Sequence, residues 1–252
     1  MLGTLPAIIG ILATVALSCA AVLVRSLTPA AGTVAAIFGS FIVVVGGFPF
    51  LALLILFVLA GSLATHYRIE EKRRGNLQEG QHGERGVSNV LAHIVIPTVL
   101  VGIYGLMPSA LPAAALAFLY TAALAFGAAD TFASEFGVLA GRARSILTMR
   151  PVTPGTNGGI SGRGEAWAVA GAFTTGVVGY LLFALFGAPV TAVVLFVVGT
   201  TFAGFVGCQI DSVLGETLEN RGCLTKGTTN LLAMVMTVLI GIAILSAAGG
   251  YL

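Results

Sequence analysis

Two hexapeptides of one pattern hold four of the ten acidic residues in this 252-residue chain. One is Asp130-Thr131-Phe132-Ala133-Ser134-Glu135 and the other is Asp211-Ser212-Val213-Leu214-Gly215-Glu216. Each reads Asp, hydroxyl, apolar, apolar, small, Glu, and each stands at the end of a long apolar run. Carboxylates are costly at or near a bilayer, so those kept there mark function by default. A shared hard cation is the chemistry that fits them. Mg²⁺ takes oxygen ligands and is commonly held by one or two carboxylates together with substrate phosphates. Asp130, Glu135, Asp211 and Glu216 are therefore the candidate Mg²⁺ ligands, and phosphate chemistry is what such an ion would serve. Within one unbroken helix, positions i and i+5 point about 140° apart, so Asp130 and Glu135 would not share an ion there. Either the helix breaks, or ligands pair across the copies, Asp130 with Asp211. Acids that merely meet water or an arginine at a helix end are the plainer alternative.

Phosphate also needs positive charge and backbone N–H groups. Lys72, Arg73, Arg74 and Arg85 lie in one polar segment, Arg142, Arg144, Arg150 and Arg163 in another, and Lys226 in a third. Most basic residues beside apolar spans set orientation or meet anionic lipid. Arg85 and Lys226 stand apart, because each directly precedes a glycine-hydroxyl-asparagine block: Gly86-Val87-Ser88-Asn89 and Gly227-Thr228-Thr229-Asn230. A third block, Gly155-Thr156-Asn157, opens a glycine-rich run through Gly158, Gly159 and Ser161 to Gly164. All three are expected to be helix starts, where bare N–H groups favour anions. Thr and Asn are equally ordinary N-caps. The run is not a Walker A loop, since the Gly-Lys-Ser/Thr ending is absent. Lys72, Arg85, Asn89, Arg150, Ser212, Lys226, Asn230 and the 155–161 loop make up the candidate phosphate- and nucleotide-binding set. His66, His82 and His93 show no catalytic spacing, though His93 shares a helix face with Asn89. Three scattered cysteines form neither a disulfide framework nor a metal-ligand pattern.

The elements that must position these residues are membrane helices. Hydrophobic residues make up 57% of the chain and charged ones 9%, with a mean hydropathy of +1.02. That composition excludes a soluble domain and predicts an all-α, polytopic bundle. Eight spans are expected, at roughly 5–24, 30–46, 48–66, 89–106, 111–129, 166–187, 190–208 and 229–249, in a single domain covering 1–252. The first lacks a basic start and a cleavage site, so it is not expected to be a removed signal peptide. All twelve Lys and Arg residues fall in four segments: Arg25, 67–88, 130–165 and 209–228. With eight spans these lie on one side, and the connections opposite carry no charge. The positive-inside rule then expects an integral protein of the cytoplasmic membrane, its polar loops in the cytoplasm and both termini outside. Acids, basic loop and Gly-hydroxyl-Asn block recur every two spans, so the copies share one orientation, unlike the inverted repeats of many transporters.

The blocks Ala128-Ala129-Asp130 to Gly137, Pro154-Gly155-Thr156-Asn157-Gly158-Gly159-Ile160-Ser161, Asp211-Ser212 to Gly215, and Arg85-Gly86 to Asn89 resemble the signatures of one integral membrane family. That family includes transmembrane protein 19 and the plastid phytyl-phosphate kinase. Asp130 to Gly137 is also similar to the acidic motif of CTP-dependent lipid kinases such as dolichol kinase. The resemblance implies a kinase that transfers a phosphoryl group from a nucleoside triphosphate, CTP being the expected one, to an isoprenoid monophosphate. Lys72, Arg85, Asp130, Glu135 and Asp211 would be catalytic, with Mg²⁺ as cofactor and no nucleic-acid partner. Two alternatives remain open at this point. A CTP-dependent lipid cytidylyltransferase uses the same parts, and a cation or lipid transporter could use the acids as an ion path.

Overall fold

The computed structural model describes residues 4–78 and 83–249. His82 lies outside the described residues. The described residues form a helical bundle of eight long helices: α1 Thr4–Leu23, α2 Pro29–Val45, α3 Phe48–His66, α5 Val87–Leu106, α6 Ala113–Gly137, α7 Gly162–Leu185, α8 Val193–Leu214 and α9 Lys226–Ala247. A short helix, α4 Ile69–Arg74, lies in the polar segment after α3. Seven of the long helices are long and apolar enough to cross a bilayer; α2, of 17 residues, is at the lower limit of that length. The protein is a polytopic helical membrane protein.

Helix starts follow local chemistry. Pro29 opens α2 with its fixed φ, and Thr28 Oγ1 caps it by accepting from Ala31 N at 3.3 Å. Between α2 and α3 the chain needs only Gly46-Gly47, and Gly47 turns at φ +100°.

At the centre stands α6, and every residue from Ala115 to Ala129 is buried. Its alanines and glycines let neighbours approach closely, the packing mode that membrane interiors favour. A Cβ added at Gly171 of α7 would meet Ala128 O at 2.8 Å, and one at Gly204 of α8 would meet Ala125 at 2.8 Å. Tyr120, fully buried, donates its hydroxyl to Phe50 O of α3 at 2.9 Å. In this way α3, α5, α7, α8 and α9 all pack on α6. On the far side α1 packs on α2.

α6 and α8 run past the expected span ends. α6 is unbroken through Asp130 and Glu135, and α8 passes Asp211 into a π turn, Gly215–Glu219. Between α6 and α7 lies an unexpected three-stranded antiparallel sheet, β1 Ala143–Ser145, β2 Pro151–Val152 and β3 Gly159–Ile160, in the order β2-β1-β3. It corrects the expected helix start at Gly155. Gly155 and Gly158 take positive φ, +85° and +77°, which turn the chain into β3, and α7 begins only after Ser161. Ser161 Oγ is its cap, accepting from Gly164 N at 3.1 Å.

The four charged segments meet at one end of the bundle. Arg85 N donates to Ser26 O at 3.0 Å, and Thr28 N to Arg85 O at 3.2 Å. Lys72 pairs with Glu135, and Asn157 Nδ2 donates to Glu219 Oε1 at 3.0 Å.

Candidate functional site

A polar cavity of about 180 Å³ opens at that end, between the C-terminal turns of α6 and α8, the first turns of α7 and α9, and the 154–161 segment. Of the sequence-derived set it collects Asp130, Asp211, Ser212, Lys226 and Asn230 together with Gly155, Thr156, Asn157, Gly158, Gly159 and Ser161. α6 does not break, so a broken helix does not bring Asp130 and Glu135 together. Asp130 and Asp211 both face the cavity, with Lys226 within electrostatic reach of Asp211. Asn230 Nδ2 donates to Asp130 Oδ2 at 3.3 Å, so the asparagine block of α9 engages the acidic block of α6.

Glu135 and Glu216 do not line this cavity. Glu135 accepts Lys72 Nζ at 2.6 Å and Thr65 Oγ1 at 2.7 Å. Lys72 is 0% exposed and also donates to Ala64 O at 2.9 Å and Thr65 O at 3.1 Å. All three ammonium donors are thereby used, which corrects the expectation that Lys72 meets phosphate. Glu216 accepts Ser145 Oγ at 2.6 Å and Leu147 N at 3.3 Å. It braces the sheet against α8 instead of facing an ion beside Asp211. Arg150 sits exposed at the sheet's outer turn, away from the cavity-lining set.

Two carboxylates that sequence reasoning missed do line the cavity, Glu165 and Glu219. Gln209 Nε2 donates to Glu165 Oε2 at 2.9 Å. Glu219 lies eight residues after Asp211 with Gly215 midway, the i, i+4, i+8 spacing of one helix face. That spacing was the available signal.

Gly158 seats the glycine segment on α8. A Cβ there would lie 2.4 Å from Glu216 Cβ and 2.9 Å from Ser212 O. The N–H groups of Thr156 and Gly159 are taken by Thr153 O and Thr156 O, so the segment's anion-binding capacity rests on its other amides.

A smaller polar cavity, about 20 Å³, adjoins the first. Asp130, Ser134 and Lys226 line both, and Arg85, Asn89, His93, Thr131 and Glu135 complete the smaller one. Arg85 is buried, with its guanidinium over Gly61, where a Cβ would lie 2.9 Å from Nη2. It donates to Thr131 Oγ1 at 3.4 Å.

The residues fit a divalent cation that shares its ligands with a phosphate. Among the described residues no group of three His, Cys, Asp or Glu side chains is placed to hold an ion alone. Asp211 Oδ1 is buried with no hydrogen-bond partner among them. An acceptor left so costs about 1–3 kcal/mol, and a cation at that oxygen would remove the cost. Two carboxylates with phosphate oxygens completing the shell is how proteins hold Mg²⁺.

Fold and site together define a polytopic membrane protein with a carboxylate and glycine-loop chamber at one end of its bundle. The sequence model of the family described as Integral membrane protein DUF92 matches residues 12–249, and the chain belongs to that family. An uncharacterized membrane protein of Methanocaldococcus jannaschii is 32% identical over 201 residues, 79% of this chain and 77% of that protein. Protein PGR of Arabidopsis thaliana is 34% identical over 192 residues, covering 70% and 66% of the two chains. An uncharacterized membrane protein of Synechocystis is 29% identical over 169 residues, 66% and 61% of the two. No solved structure matches the chain.

Proposed function

We propose that this protein is a kinase of isoprenoid monophosphates, using a nucleoside triphosphate, CTP first among them, and Mg²⁺. One observation carries the reading: Asp130, Ser134 and Lys226 line both the glycine-loop cavity and the small Arg85–Asn89–His93 cavity, so two adjoining polar sites share a carboxylate. Asp130 and Asp211 would hold the ion, which supplies charge neutralisation between donor and acceptor phosphates. Lys226, Ser212 and the 155–161 segment would hold the triphosphate, with Glu165 and Glu219 setting the acidic wall. Arg85 and Asn89 would hold the lipid phosphate. An acceptor phosphate oxygen bonds to the γ-phosphorus while the bond from that phosphorus to the β–γ bridging oxygen breaks, and the nucleoside diphosphate leaves. The acceptor is already ionised, so no general base is required; positioning and charge carry the catalysis.

The test uses purified protein with a lipid monophosphate and CTP or ATP labelled at the α or the γ position. Label from the γ position should enter a lipid diphosphate. Entry of the α label with release of pyrophosphate would make the protein a cytidylyltransferase, and no transfer from any triphosphate would favour transport.

A further inference from the structure

The bundle also holds a cavity of a different kind. It is an apolar groove of about 240 Å³ walled by α1 and α3 and floored by α2 and α5. α1 leans chiefly on α2, which leaves the gap between the two walls. Towards the charged end the walls are tied by the Ser26 and Ser62 hydroxyls, 2.9 Å apart. There the lining turns polar and ends at Arg85, Asn89 and His93. The same three residues line the small cavity that contains Asp130 and Lys226. At the other end Thr14, Gly39 and Leu51 meet: a Cβ added at Gly39 would lie 2.7 Å from Thr14 Cγ2 and 3.8 Å from Leu51 Cδ1.

We propose that this groove holds the hydrocarbon tail of a single isoprenoid chain whose anionic head lies at Arg85, and that the Thr14–Gly39–Leu51 contact sets the longest chain fully taken in. The proposal rests on the kinase reading only for the identity of the lipid. Its own support is juxtaposition: the groove ends at Arg85, Asn89 and His93, whose other side lines the small cavity with Asp130 and Lys226. An ordinary bilayer lipid has no need of that juxtaposition, because its head group belongs in the interface. A tail gains little by leaving lipid for an equally apolar groove. What the groove supplies is placement, holding the head group at Arg85 while the tail is confined. Its length gives the gauge. Leu51 and Ser62, both on α3, line it, and the helical rise sets them about 17 Å apart. With carbon–carbon bonds near 1.5 Å an extended isoprene unit covers about 4–5 Å, so about four units fill the groove.

The experiment uses full-length protein in lipid nanodiscs, without nucleotide, and geranyl, geranylgeranyl and undecaprenyl monophosphates carrying a photoreactive group at the tail end. Geranylgeranyl monophosphate should label α1 near Thr14 or α3 near Leu51. Ala35→Phe, which fills the floor, should weaken its binding by about tenfold or more, the discrimination a shaped apolar pocket gives, and Leu51→Ala should narrow the gap between geranylgeranyl and undecaprenyl chains. Geranyl monophosphate should bind wild type and Leu51→Ala alike, which reports that the variant is folded. Labels spread over the lipid-facing surfaces, or full competition by an ordinary phospholipid, would overturn the proposal even if neither variant folds. The labelling needs no triphosphate and so reads the groove independently of the transfer assay above: groove labelling together with no γ-phosphoryl transfer in that assay would sink the kinase reading and keep the groove. Transfer with labels elsewhere would do the reverse.

Discussion

Replacing Asp130 or Asp211 by asparagine keeps the shape of each side chain and removes its charge. Each change is expected to lower turnover by about 10²-fold or more, the scale for deleting one electrostatic contact to a transition state, while thermal unfolding in detergent stays close to wild type. Turnover and Mg²⁺ dependence unchanged in both variants would end the shared-site account. Lys72 makes the opposite case. Its pairing with Glu135 is buried, and breaking such a pair from one side costs about 3–5 kcal/mol. Lys72→Met should therefore lower the unfolding temperature markedly, and adding Glu135→Gln should recover part of the loss. A stable but inactive Lys72→Met would return Lys72 to phosphate binding. That Asp130 and Asp211 belong to one repeated pattern was legible in the sequence, and the structure lines one cavity with both. The destination of Glu135 was not, since Lys72 lies 63 residues away and only the packed bundle brings them together. Nor was that of Glu216, whose partner Ser145 belongs to a sheet too short to announce itself.

At the scale of elements, the helices were readable because long apolar runs have few other solutions in lipid. Strands of two or three residues show no alternation, so the β1–β3 sheet left no pattern. The glycine-rich segment looked like a helix start. It is a turn that lays the chain on α8, and Gly158 is the residue that allows it. Gly158→Ala adds a Cβ at φ +77° against Ser212 O and Glu216. A strained residue of this kind costs about 1–3 kcal/mol, enough to lift a surface segment but not to unfold eight packed helices. The expected outcome is a raised KM for the triphosphate with an unfolding temperature near that of wild type. An unchanged KM would remove the 155–161 segment from nucleotide binding.

Across the whole molecule, the charge pattern and the packing agree that the polar segments share one end of the bundle, whereas the compartment that end faces rests on the positive-inside rule. In a background without Cys19, Cys208 and Cys223, Arg150→Cys in intact cells should resist an impermeant thiol reagent and react after permeabilisation; labelling from outside would invert the orientation. Orientation bears on function, because a kinase needs its chamber on the side that holds nucleotide. The central claim is that a lipid phosphate and a triphosphate meet across Asp130 and Asp211. Its most direct measurement is transfer of γ-label from CTP to geranylgeranyl monophosphate and to geranylgeraniol, by wild type and by Asp211→Asn, with and without a chelator. A free alcohol would benefit from a positioned base, which contributes about 10²–10⁴-fold; a phosphate does not need one. Wild type should therefore label the monophosphate far faster than the alcohol, and only with a divalent cation, and Asp211→Asn should label neither. Equal labelling of the alcohol, or transfer that survives both the chelator and the substitution, would contradict the account.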